Sequence, residues 1–159
     1  MLDWNVELLS WSLIGEMLPL QDGYRDEVAG PFHDYPADVD WKTYLAAQEK
    51  GMLKVIIGRS DGVLKGGCLI VIGPHPHYAC ISASLPLLFI ATEFRRGREG
   101  MRLIKMAVEV ARAAGAQLFM THGGVHNQVY KLFEFMGFED FGRYFVMQIA
   151  KTPPVFKER

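Results

Sequence analysis

The segment from Leu85 to Gly115 constrains the fold more than any other part of this chain of 159 residues. Leu85, Leu87, Leu88, Phe89 and Ile90 form a short, nearly continuous apolar block, which suits a strand buried on both faces better than a helix. A basic, glycine-containing stretch follows, Arg95-Arg96-Gly97-Arg98-Glu99-Gly100. Beyond it Leu103, Ile104, Ala107, Val108, Ala111 and Ala114 recur at steps of three and four, the spacing of one buried helical face, and Gly115 is placed to end that helix as a C-cap. A helix beginning near Gly100 turns its unpaired N–H groups and its positive dipole end toward the loop, and such an end binds anions. Between Glu93 and Lys105 there are five positive groups (Arg95, Arg96, Arg98, Arg102, Lys105) against two negative ones (Glu93, Glu99), although the whole chain has a formal charge of only -1. The local excess predicts a phosphate-bearing ligand; the plain alternative is a solvated basic turn.

Two common phosphate cradles are excluded. The pattern G-x-x-x-x-G-K-[ST] is missing, so a nucleoside triphosphate has no Walker loop here. The dinucleotide fingerprint G-x-G-x-x-G is missing too, and the next predicted strand, Gln117 to Thr121, brings no acidic residue for a ribose. After that strand His122-Gly123-Gly124 reads as a turn. Val129, Leu132, Phe133 and Met136 mark one face of a further helix closed by Gly137, Phe138 packs back, and Tyr144 to Ile149 alternates as a last strand.

This order resembles the second half of a GNAT superfamily N-acetyltransferase. In that family the loop pattern [RQ]-x-x-G-x-[GA] takes the pyrophosphate of acetyl-CoA on backbone N–H groups. Here Arg95 and Gly100 hold the first and last places, while Arg98 stands where the central glycine is usual and Gly97 lies one place earlier. Phe133-Glu134-Phe135-Met136-Gly137-Phe138 is similar to the family's Y-E-x-x-G-F, with Phe133 in place of the tyrosine.

In the first half, Leu8 to Leu20 and Trp41 to Gln48 are predicted amphipathic helices joined by a loop, Gly30-Pro31-Phe32-His33-Asp34-Tyr35-Pro36. Lys54 to Arg59, a turn at Ser60-Asp61-Gly62, and Lys65 to Ile72 predict a hairpin. A break at Gly73-Pro74-His75-Pro76-His77 precedes a long strand from Tyr78 to Ile90. Asp40-Trp41 with Tyr44, His75-Pro76-His77-Tyr78 and the Arg/Gly loop together resemble the compact acetyltransferases encoded in tailed-phage genomes, over nearly the whole chain.

The resemblance implies an α/β (α+β) domain over residues 1–159, with 152–159 a frayed tail. Its sheet would be mixed, mostly antiparallel, of six to seven strands with about four helices. It also implies acetyl-CoA as cofactor and a primary amine as acceptor, a small molecule or a protein, joined by direct attack in a ternary complex. The N–H groups of Leu88, Phe89 and Ile90 are the candidates for the acetyl and pantetheine groups, and Arg95, Arg96, Gly97, Arg98, Glu99 and Gly100, with Phe133, for the rest of the cofactor. Pro86 lacks an N–H, which fits either a bulge where pairing is lost or an edge position. Phe133 cannot donate a proton, so Tyr130, one helical turn earlier, is the candidate acid, and His122 the candidate base. Glu27, His33 and Asp34 are candidates for holding the acceptor. No carboxylate lies between Tyr78 and Thr92. Core packing or solvated surface is the alternative for each of these side chains.

Other classes are weighed against the composition. An apolar half and no shift in composition predict one domain with a full core. Asp3 and Glu7 near the start, with no basic segment before an apolar one, argue against a secretory signal, and no apolar run reaches membrane length, so a cytoplasmic protein is expected. The near-neutral charge argues against a nucleic-acid binder. His75 with His77, or His122 with His126, lack the supporting Cys or acidic ligands of a zinc site, so no metal is expected. Cys68 and Cys80 fall on predicted neighbouring strands as buried thiols, with a disulfide or catalytic pair as the lesser reading. A homodimer stays open. So do two rival functions: a CoA-binding module with weak or lost catalysis, which Phe133 favours, and a phage structural or host-modulating protein.

Overall fold

A computed structural model describes residues 1–28, 39–123 and 129–142, apart from the side chains of residues 22 and 24–28. The elements are β1 (Asp3–Glu7), α1 (Trp11–Val28), α2 (Trp41–Glu49), β2 (Leu53–Ser60), β3 (Val63–His75), β4 (Cys80–Ile90), α3 (Glu99–Ala113), β5 (Leu118–Met120) and α4 (Val129–Phe135), with a 3-10 turn at Thr92–Phe94. The five strands lie in the order β1-β2-β3-β4-β5. All neighbours are antiparallel except β4 and β5, which run parallel.

Both faces of the sheet are covered. On one face Trp4, Ile56, Cys68, Ile70, Ala83, Leu85 and Ile90 pack with Leu103, Ala107 and Ala111 of α3. On the other, Val55, Ile57, Leu64 and Leu69 pack with Leu13, Ile14 and Met17 of α1, and Trp41, Tyr44 and Leu45 of α2 join them. That is why β2 reads as a continuous apolar run, with Val55, Ile56 and Ile57 all fully buried, and not as an alternation. The β2–β3 turn carries Asp61 and Gly62 at φ 50° and 78°, the two positive values that a tight hairpin needs.

Several expectations are corrected. The described residues form five strands and not six to seven; the larger number came from the family likeness, and the described sequence carries no further apolar alternation to supply it. Tyr144 to Ile149 and the tail lie outside the described residues. β1 was not foreseen, because a five-residue strand with two buried side chains, Leu2 and Trp4, in and beside it leaves too short a pattern. The first helix is not Leu8 to Leu20 but Trp11–Val28: Ser10 accepts from Leu13 N at 3.2 Å at its start, and the helix continues past Pro19. β3 runs through the expected break to His75, with Pro74 opposite Ile81, so β4 starts at Cys80 rather than Tyr78.

Candidate active site

The third and fourth strands set up the site by losing register. Leu69 pairs with Leu87, but Val71 pairs with Ser84, so Ile70 faces both Leu85 and Pro86. This is a bulge in β4, placed where proline has no N–H to offer the ladder. On its other side β4 pairs with β5 through Ser82, Ala83 and Ser84 alone, and the two strands part beyond that point. Ala91 N donates to Lys65 O at 2.7 Å. Alternation along an antiparallel pair therefore turns the N–H of Phe89 toward β3 and those of Leu88 and Ile90 away from it, into the gap. Among the described residues nothing accepts from these two N–H groups. The carbonyl of Ile90 points the same way and accepts from Arg95 Nε at 2.7 Å.

The loop then delivers the chain to α3. Gly97 has φ 142°, a conformation that glycine adopts without penalty. Arg98 is the N-cap of α3 but makes no side-chain cap hydrogen bond, which leaves the first N–H groups of the helix open. Gly100 faces α4, and a Cβ there would stand 3.1 Å from Leu132 Cδ2. The two acidic groups of the segment are engaged elsewhere. Glu93 pairs with Lys65 Nζ at 3.1 Å. Glu99 turns into the body of the protein, accepting from Trp4 Nε1 at 2.8 Å and Leu2 N at 3.3 Å and pairing with Arg102 at 3.0 Å. Burial alone would raise its pKa, but the bonds from Trp4, Leu2 and Arg102 outweigh that and hold it below the usual carboxylate range. Arg95 is drawn back over the Phe89 ring, 5.1 Å from its centroid. Arg96, Arg98 and Lys105 remain exposed, and no carboxylate of the described residues pairs with them. The site is thus an open helix mouth with a cationic rim.

The candidate acid and base lie at the far side of the gap. His122, two residues after β5, is exposed, as is Tyr130 at the start of α4. Gly123 holds these segments together: a Cβ on it would lie 2.8 Å from Tyr130 Cβ. Phe133 is buried, its ring centroid 5.4 Å from that of Phe138, which meets Phe119 of β5 edge-on at 5.9 Å. It serves as packing between α4 and β5.

Sequence reasoning did not single out the apolar cleft beside β4. It lies open to solvent between α1 (Met17, Leu20, Gln21), α2 with the residue before its cap (Trp41, Val39) and the sheet (Ile57, Leu64, Gly66, Gly67, Leu87, Phe89). Asp40 orients Trp41 by capping α2: it accepts from Thr43 N at 3.1 Å and Thr43 Oγ1 at 2.6 Å. Those hydrogen bonds hold the Asp40 carboxyl below its ordinary range. The cleft residues are scattered from 17 to 89, and each fits a core pattern on its own, so no local signal marks them as a group.

The remaining candidates fall partly on residues whose placement is not described. Glu27 lies in α1 without a described side chain, and His33, Asp34 and His126 lie outside the described residues. His75 Nδ1 accepts from His77 N at 3.2 Å, and the His75 ring stacks 4.6 Å from Tyr78 at the β3–β4 turn. Among the described residues no group of three metal-binding side chains occurs. Cys68 faces Leu88 while Cys80 faces His75, so the two thiols sit far apart along the ladder; burial pushes Cys68 up to about 12. No helix among the described residues is long and apolar enough to cross a membrane.

No protein-family model and no curated protein sequence matches the chain. Solved structures do. The chain is similar to aminoglycoside N-acetyltransferase AAC(6')-Iy in complex with CoA, at 17% identity and a TM-score of 0.68, over 93% of this chain and 99% of that one. A ribosomal-protein-alanine N-acetyltransferase from Brucella melitensis biovar Abortus 2308 gives 15% identity and 0.70 over 93% and 100%. A transcriptional regulator from Bacillus halodurans C-125 gives 14% and 0.73 over 92% and 99%. At such identities the likeness establishes the fold, which is the GNAT fold, and function must be argued from the site.

Proposed function

We propose that this protein is an acetyl-CoA-dependent N-acetyltransferase that acts on a primary amine by direct attack. The observation that carries the reading is the parting of β4 from β5 after Ser84, which leaves the N–H groups of Leu88 and Ile90 without an acceptor among the described residues, beside a start of α3 that Arg98 does not cap with its side chain. These features suit the two ends of one ligand. The helix mouth from Gly97 to Gly100, with Arg96 and Arg98, takes a diphosphate; the strand N–H groups take an extended amide chain and a thioester oxygen. That similar folds include a CoA complex and two acetyltransferases supports the choice of ligand.

When bound, acetyl-CoA supplies an activated acyl group: the amine lone pair attacks the carbonyl carbon, the C–S bond breaks, the nitrogen sheds a proton and the thiolate gains one, giving an amide and free CoA. The N–H of Leu88 or Ile90 stabilises the negative charge that builds on the carbonyl oxygen. His122 takes the proton from nitrogen, directly or through water, and Tyr130 gives one to sulfur. Calorimetry with CoA, and thiol release from acetyl-CoA over an amine panel, test the proposal. Absence of CoA affinity rejects it.

One observation favours a second reading, a CoA-binding module without efficient transfer. Phe133, at the place of the family's tyrosine, is buried against Phe138 and has no proton to give. CoA affinity without thiol release would select that reading.

A further inference from the structure

The cleft between α1, α2 and the sheet carries an inference about the acceptor, and it rests on the transferase reading above. We infer that the acceptor is a small primary monoamine bearing an aliphatic or aromatic group, and that this group occupies the cleft. Position comes first. Leu87 and Phe89 line the cleft, while Leu88 and Ile90, interleaved with them, direct their N–H groups into the gap after Ser84. Four consecutive residues of β4 thus border both spaces, so an apolar group seated on Leu87 and Phe89 leaves an attached amine within reach of an acyl group held by the strand.

Chemistry comes second. Met17, Leu20, Ile57, Leu64 and Leu87 are aliphatic, Trp41 and Phe89 are aromatic, and Gln21 is the one amide side chain among the lining residues. No lining side chain among the described residues is charged. A polycation seated on these walls would bury ammonium groups against apolar side chains, with no carboxylate among the described lining residues to pair with. An apolar group gains from the same walls, by a factor of roughly four in affinity for each methylene buried. Gly67 keeps the floor clear, since a Cβ there would stand 2.7 Å from Ile56 O and 3.1 Å from Ile57 Cδ1. Apolar walls also disfavour the ammonium form of the amine, which raises the share of the neutral nucleophile.

The experiment uses the whole chain and two readouts. Equilibrium binding of ethylamine through hexylamine, 2-phenylethylamine, ethanolamine and spermidine is followed by tryptophan fluorescence, with Trp41→Phe as the control that reports the cleft. Thiol release from acetyl-CoA is measured with the same amines. Affinity and kcat/KM rising two- to fourfold per added methylene, with ethanolamine and spermidine at least tenfold below hexylamine, is the expected result. Leu20→Asp should reduce hexylamine binding tenfold while CoA affinity by calorimetry stays unchanged. Equal or better binding of ethanolamine or spermidine overturns the inference even where CoA binds and the transferase reading stands. Failure of CoA to bind removes the transferase reading, and the fluorescence series still decides whether the cleft selects apolar amines.

Discussion

The indole N–H of Trp4 donates to Glu99 Oε2 at 2.8 Å, joining the first strand to the first turn of α3 across 95 residues of sequence. The acidic residue inside the loop motif therefore anchors the loop to the sheet. Its backbone stays at the helix mouth while its carboxylate holds that mouth in place.

Glu99→Ala should destabilise the protein by about 1.5–3 kcal/mol, the range for losing hydrogen bonds to a charged group. Urea unfolding of the two proteins measures the difference. The sign of the pH effect follows from the lowered folded-state pKa: the wild-type contribution is complete above the unfolded carboxyl value, about 4.3, and fades as pH falls through the lower folded value. The gap between wild type and Glu99→Ala should thus shrink as the pH is lowered into that window. A gap that does not vary with pH would mean that Glu99 acts by packing alone.

Gly100→Val should weaken CoA binding at least tenfold in calorimetry. The new side chain would press on Leu132, 3.1 Å from the site of its Cβ, and crowd the N–H groups of the helix mouth. The melting temperature should change much less, because α3 is held by Leu103, Ile104, Ala107 and Ala111. Undiminished affinity would remove the loop from the site.

Arg96→Gln with Arg98→Gln should lower CoA affinity and flatten its dependence on salt, because exposed cations act on a diphosphate through a field that electrolyte screens. Folding should be unaffected, since neither side chain pairs with a carboxylate among the described residues. A wild-type salt slope in the double variant would assign the anion to backbone groups alone.

Tyr130→Phe should slow transfer while leaving CoA affinity unchanged, if the phenol protonates the leaving sulfur. The side chain is exposed, so the substitution has little to disturb in the core. An unaltered rate would hand the proton to water.

Gly67→Ala should destabilise by about 1–3 kcal/mol, since its Cβ would meet the backbone oxygen of Ile56 at 2.7 Å and backbone cannot step aside. Thermal melts report it. No loss would mean that β2 and β3 can separate locally.

The centre of the fold was legible because its pattern is local. The block ending at Ile90 and the helical spacing from Leu103 to Ala111 predict a strand and a helix, and the structure has both. Asp61-Gly62 announced its hairpin by turn chemistry. What depended on tertiary contact was hidden: β1 is too short to show a period, and Met17, Trp41 and Leu87 read as separate core positions until the fold brings them around one cleft. What the loop side chains touch was not legible either, since Glu99 is turned into the protein by Trp4, 95 residues away in sequence, and the exposed Arg95 is held through its Nε by the carbonyl of Ile90.

The extra residue at Pro86 also splits β4 into two phases. Before it the odd positions Ala83 and Leu85 face α3; after it the even positions Leu88 and Ile90 do. Without that proline Ile70 would face Leu85 alone, the pairs Leu69–Leu87 and Val71–Ser84 would stand, and Leu88 and Phe89 would keep their layers; what the extra residue supplies is the local bend of the strand beside the gap.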